Sequence, residues 1–141
     1  PPYQWSGEAC QVMVIETIQR GEKTYSWLQK RFENFHVIRT TSPLDGTSFW
    51  IEIFPSHVSK SNASEWLRNR YEIPHHKVMA IGNDYNDTDL LAWAENSFVV
   101  ANAPRFFKEK YRQVKTHDED GFHEAVSIWL KEVLKITPNK L

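Results

Sequence analysis

Within five residues after Gly82 the chain places four side chains able to ligate a hard cation: Asn83, Asp84, Asn86 and Asp87. They follow an apolar run at residues 78–81 and precede an amphipathic segment. Open α/β sheets build ligand sites by delivering such groups to the C-terminal end of a strand. A donor set of oxygens without Cys or His suits Mg2+ better than zinc. The same residues would also serve to begin a helix near Asp87, because Asn and Asp cap helices and favour the turn before them. Four in five positions exceed what one cap needs, and packed carboxylates repel unless a cation neutralises them. A calcium loop running from Asp84 to Glu95 fails at its sixth position, which holds Asp89 where the sharp turn needs glycine. Leu90-Leu91-Ala92-Trp93 also reads as helix.

The elements that must position this cluster follow from spacing. Residues 10–17 are apolar and β-branched, a short strand, with Gly21 punctuating its exit. Residues 22–33 bring Tyr25, Leu28 and Phe32 to helical spacing, with Trp27 beside the stripe. Residues 36–41 and 48–54 flank Ser-Pro-Leu-Asp-Gly, and Asp45-Gly46 signals a turn between antiparallel strands. The first part therefore reads β-α-β-β.

After Pro55 the pattern changes. Ser59 is placed to cap a helix whose face carries Ala63, Trp66, Leu67 and Arg70 or Tyr71, ending before Pro74. Residues 78–81 form a strand, 87–95 a helix with Leu90, Leu91 and Ala94 inward, and 97–101 a second strand. Pro104 opens a short helix, 113–115 form a brief third strand, and Phe122, Ala125, Val126, Trp129, Leu130, Val133 and Leu134 mark a closing helix. Strand and helix alternating at this spacing mean parallel strands joined by crossovers. The fold class is α/β. A partial Rossmann-like three-layer core over residues 58–141 is preceded by part of a small α/β cap over residues 1–57.

Composition sets outer bounds. In 141 residues, 40% are hydrophobic and 25% charged, ordinary for a globular domain, and the formal net charge is −1. That balance argues against nucleic acid or an anionic membrane as a partner. One cysteine, Cys10, allows no internal disulfide and fits a reducing, cytoplasmic setting. No signal-peptide pattern and no membrane-length apolar run is present.

Lys60 in Val58-Ser59-Lys60-Ser61-Asn62-Ala63, Gly82-Asn83-Asp84-Tyr85-Asn86-Asp87, and Val99-Val100-Ala101-Asn102-Ala103 together resemble the C-terminal half of haloacid dehalogenase-superfamily phosphatases. The Cof-type sugar-phosphate phosphatases with an α/β cap are the branch most similar. The resemblance spans roughly residues 48–126. It implies that Lys60 pairs with a nucleophile and the substrate phosphate. It also implies that the Gly-Asp-x-x-Asn-Asp loop supplies magnesium ligands and an Asn near the phosphate, matched here by Asn86 and Asp87. Asn102 would sit at the same sheet edge, though a turn-forming Asn before Pro104 explains it equally.

Two departures stand out. The family's first loop Asp falls on Asn83, so either Asp84 supplies the charge or Asn83 ligates through its amide oxygen. The family's Asp-x-Asp-x-Thr nucleophile motif is absent. Leu44-Asp45-Gly46-Thr47 imitates its end, but Pro43 stands where the first Asp belongs, and the context is a hairpin turn. The resemblance thus implies a Mg2+-dependent phosphatase of small phosphorylated metabolites, with this chain a C-terminal piece lacking the nucleophile. A missing N-terminal segment, or self-association through an exposed sheet edge, would complete it. The rival reading is a non-catalytic binding module that keeps the fold.

Overall fold

The computed structural model describes residues 7–42 and 44–136, and the chain divides into two compact units at Val58/Ser59.

In the first unit the order is β1 (Val12–Thr17), α1 (Ile18–Arg31), β2 (Phe35–Thr41) and β3 (Ser48–Pro55). The sheet runs β1-β3-β2 with both pairings antiparallel, the expected β-α-β-β arrangement. Alternation along the strands turns Val37, Ile51 and Ile53 to one face. There they meet Leu28, with Val14, Tyr25, Phe32 and Phe49 packed around them. The hairpin closes as its turn residues require. Ser42 N–H donates to Ser48 O at 3.0 Å, and the Asp45 carboxylate accepts from Thr47 N–H at 2.8 Å and Ser48 N–H at 2.7 Å. Donation from the Ser48 hydroxyl, then from these N–H groups, holds the Asp45 carboxyl well below the usual carboxylate range. Asp45 is therefore committed to the turn; residue 43 lies outside the described residues.

One expectation is corrected here. The helix begins at Ile18, four residues before the expected start, and Gly21 lies buried inside it instead of ending the strand. A Cβ at position 21 would collide with Cβ, Cγ and Cδ1 of Phe49. The glycine is there so that α1 can approach β3, not to reverse the chain.

The second unit contains α2 (Lys60–Arg70), β4 (Met79–Gly82), α3 (Thr88–Trp93), β5 (Asn96–Val100), α4 (Arg105–Lys108), β6 (Arg112–Val114) and α5 (Gly121–Glu132). The three strands form one parallel sheet in the order β4-β5-β6. Phe98, Val99 and Val100 are consecutive and all buried. Successive strand side chains point to opposite faces, so both faces of β5 are covered, as in a layered Rossmann-like sheet. Leu91, Phe107 and Ala125, one from each of α3, α4 and α5, fill the core beside these strands.

Three details differ from the spacing-based expectations. The segment expected as one helix over 87–95 opens with a 3-10 turn at Tyr85–Asp87 and stops at Trp93. The Ser97 hydroxyl bonds Leu91 O at 2.7 Å and Ala94 O at 3.1 Å, taking up carbonyls left at the helix end. On α5, Ala125 is buried while Phe122 stays 63% exposed. On α2, no side chain is buried, and Trp66, Leu67 and the C-cap residue Tyr71 are 60%, 47% and 66% exposed. The apolar face expected there does not join the core. Among the described residues no helix is long and apolar enough to cross a membrane.

Candidate active site

The strands of the second sheet run parallel, so the segments following β4, β5 and β6 all leave its C-terminal edge. Every candidate residue except Lys60 lies on one of the first two of those segments, and Lys60 opens α2, which packs beside α3.

The loop after β4 is built around Asp87. Its Oδ2 accepts the Asn83 N–H at 2.9 Å and, more weakly, the Asp84 N–H at 3.5 Å. Asp84 returns the favour: its Oδ1 accepts Tyr85 N–H at 2.7 Å, and its carbonyl accepts Asp87 N–H at 3.0 Å. The two carboxylates thus form a reciprocal capping box on the 3-10 turn. Both are buried, Asp84 at 8% and Asp87 at 6% exposure. Capping and metal ligation, separate alternatives in the sequence, fall on the same residues here, and the structure shows the capping.

Gly82 makes this closure sterically possible. A Cβ there would lie 2.7 Å from Asp87 Cβ, 2.9 Å from Leu91 Cδ1 and 3.0 Å from Asp87 Oδ2. Only a residue without a side chain lets Asp87 fold back over the strand end.

The other oxygen of Asp87, Oδ1, accepts from the Lys60 ammonium in an ion pair. Lys60 is about half exposed (47%) while its partner is buried, so the charged end of the lysine is tethered beside the loop with one side open to solvent. Asn83 is exposed and Asn86 half-buried in the same loop. Lys60, Asn83, Asp84, Asn86 and Asp87 therefore lie together.

Asn102 follows β5 and is occupied differently. Its Oδ1 accepts His117 N–H at 3.4 Å while its Nδ2 meets His117 Nδ1. His117 Nε2 in turn lies 2.8 Å from Asp118 Oδ1. Asn102 thereby ties the loop after β5 to the turn after β6.

As a metal site, the loop is right in kind and short in number. Asn83, Asp84 and Asp87 offer hard oxygen donors that suit Mg2+. Yet among the described residues no three His, Cys, Asp or Glu side chains converge, and Asp87 already serves Lys60. The remaining positions of a six-coordinate ion would have to come from water, substrate or groups outside this sequence.

Residues passed over in the sequence link α2 to α3 around Lys60. Asp89 Oδ2 accepts the Ser61 N–H at 2.9 Å. Burial pushes the Asp89 carboxyl up, but donation from Ser61, Ser59 and Leu90 outweighs it and leaves the pKa below its ordinary value. Farther along α2, Glu65 Oε2 accepts Trp93 Nε1–H at 3.1 Å. The Arg68 hydrogen bonds, helped by Asn69 and Trp93, bring the Glu65 carboxyl down to about 2. The available signal was two serines flanking Lys60 together with an acid two places beyond Asp87.

The family model described as haloacid dehalogenase-like hydrolase matches residues 3–126, nearly the whole chain and both units. The chain belongs to the haloacid dehalogenase-like hydrolases. Among its relatives, the Bacillus subtilis protein YxeH, named as a candidate phosphatase, is 30% identical over 104 residues, covering 67% of this chain and 38% of the relative. The structure of a Streptococcus mutans protein superposes with TM-score 0.71 at 22% identity, covering 86% of this chain and 45% of that one. The subclass IIB sugar phosphatase BT4131 superposes with TM-score 0.70 at 18% identity, covering 85% and 43%. At these identities the structural likeness establishes the fold. The chain spans 35–38% of the length of the curated relatives it matches.

Proposed function

We propose that this haloacid dehalogenase-like chain supplies the lysine and metal-loop part of the active site of a Mg2+-dependent phosphatase. Its substrate class is a small phosphorylated metabolite such as a sugar phosphate. The observation that carries the reading is the Lys60–Asp87 ion pair, set beside the oxygen donors of the 83–87 loop. A cation held by an ion pair next to hard-cation donors suits a group that carries several negative charges at once.

In this reading the Lys60 ammonium, oriented by Asp87, faces both the nucleophile and the substrate phosphate and neutralises charge as the phosphoryl group transfers. Asn86 contacts the phosphoryl oxygens, with Asn102 a further substrate contact from the next loop. Asn83, Asp84 and Asp87 are the groups of this chain that would hold Mg2+. The bound ion supplies positive charge against the transferring phosphoryl group. The reaction is attack of a carboxylate on phosphorus, release of the alcohol, and hydrolysis of the aspartyl-phosphate by water. The attacking carboxylate is not among the 141 residues, so a polypeptide bearing the Asp-x-Asp-x-Thr motif completes the site. The two units then correspond to cap and core.

The test is release of inorganic phosphate from a panel of phosphomonoesters in the presence of excess Mg2+. The 141-residue chain is compared with the product of the reading frame extended upstream. Activity in the extended protein alone, reduced about 100-fold or more by Lys60→Ala, is expected. An extended protein that contains the motif yet releases no phosphate from any ester overturns the reading. Asn83, standing where the family has Asp, favours a second reading as a non-catalytic binding module; that module would bind phosphate or phosphoesters without turnover.

A further inference from the structure

α2 begins with Lys60, and a cation in the first helical turn meets the positive end of the helix dipole, a mildly unfavourable place. Apolar packing does not hold the helix there, because none of its side chains is buried and Trp66 and Leu67 lie exposed. Something else fixes the lysine, and the polar contacts between α2 and α3 identify it.

Asp89 lies two residues beyond Asp87 and faces the start of α2. It accepts the Ser61 backbone N–H at 2.9 Å, and the Ser61 and Ser59 hydroxyls also donate to it. Ser59 further accepts the Asn62 N–H at 3.1 Å as the helix cap, and its hydroxyl lies 2.9 Å from that of Ser61. Lys60 is therefore bracketed by two serines bound to one carboxylate. Its own ammonium meets Asp87 in the same short segment. The anion on the α2 N-terminus also offsets the unfavourable placing of the lysine.

We infer that Asp89 is a positioning residue for Lys60: it pins the backbone on both sides of the lysine to the segment that carries Asp87. This rests on the reading of Lys60 as the phosphate-facing cation, and it assigns a role to a residue outside the matched loop motif.

The test is the acetylation rate of each lysine in the folded chain, read by mass spectrometry at limiting reagent, with exposed Lys77 and Lys131 as internal references. Loss of the bracket should free Lys60. Asp89→Ala is expected to raise its rate about five-fold relative to the references, the scale of losing the half-exposed Lys60–Asp87 pair that the released backbone no longer holds together. Asp87→Asn should do the same, and Asp89→Asn, which keeps an acceptor for Ser61, should restore most of the protection. If Asp89→Ala does not fold, Ser61→Pro deletes the N–H donor in a turn that tolerates proline; it is expected to raise the rate likewise. An unchanged Lys60 rate in the folded Asp89→Ala variant, or failing that in Ser61→Pro, overturns the inference. If Asp87→Asn alone raises the rate, the Lys60–Asp87 reading survives without Asp89. If neither does, both fall.

Discussion

Substituting Gly82 by alanine is the most direct probe of how the loop closes. Gly82 does not appear among the positive-φ glycines, so alanine meets no backbone strain and, by restricting the unfolded chain, would alone stabilise by about 0.4–1 kcal/mol. The new methyl, however, would lie 2.7 Å from Asp87 Cβ and 2.9 Å from Leu91 Cδ1, well inside the ~3.5–4.0 Å optimum for carbon pairs. Neither neighbour yields easily: Leu91 is fully buried, and Asp87 is held by Asn83 N–H and by Lys60. Overpacking of this kind costs about 1–3 kcal/mol. The net expectation is destabilisation of about 1–2 kcal/mol, which urea denaturation followed by tryptophan fluorescence resolves as a lower midpoint with unchanged slope. Because the strain falls on Asp87, Lys60 acetylation should rise in the same variant. A G82A protein at least as stable as the parent would show that Asp87 does not fold over the strand end, and the site geometry would fail with it.

Two further outcomes test other contacts. Gly21→Ala should destabilise the chain despite a gain of about 1 kcal/mol in helix propensity, because the Phe49 ring occupies the methyl's place; a stabilised variant in urea denaturation would sink that contact. For Glu65, the folded pKa near 2 lies below its ordinary 4.5, so its contribution is complete above about pH 4.5 and lost as pH falls through about 2. The Trp93 indole N–H resonance should therefore titrate near pH 2, and a midpoint near 4.5 would break the Glu65–Trp93 link.

How far the sequence disclosed this arrangement depended on whether a feature was local or long-range. The β-α-β-β order, the Asp45 turn, the parallel strands and the Ser59 cap were legible because periodicity, turn chemistry and capping act within a few residues. Gly21 was misread since its cause, the Phe49 ring, lies 28 positions away along the chain. The α2 face was misread for a related reason. Spacing reveals an apolar stripe but not whether a neighbour arrives to cover it, and Trp66 and Tyr71 stay exposed. Within the site, the 83–87 cluster was visible by type. The resemblance singled out Lys60 and Asp87 separately, but not the ion pair between them, which joins residues 27 positions apart, and Asp89 was invisible as a contact because its partners precede it by 28 and 30 positions.

The incompleteness of the site has a direction. β4 hydrogen-bonds only β5 among the described residues, leaving its other edge open, and an open edge accepts a further strand. A parallel strand added there would end beside the 83–87 loop, where the donor set runs short and where a nucleophile facing Lys60 would have to stand. Capping the turn accounts for one oxygen of the buried Asp87 carboxylate, which takes the Asn83 and Asp84 N–H groups; the other oxygen is spent on Lys60, a contact the turn itself does not need. A chain retaining only a scaffold would have still less use for a partly buried second carboxylate, Asp89, spent on the backbone around a single lysine. Both carboxylates are explained if the position of the Lys60 ammonium is itself the product of this local architecture, which is what the proposed phosphatase site requires of it.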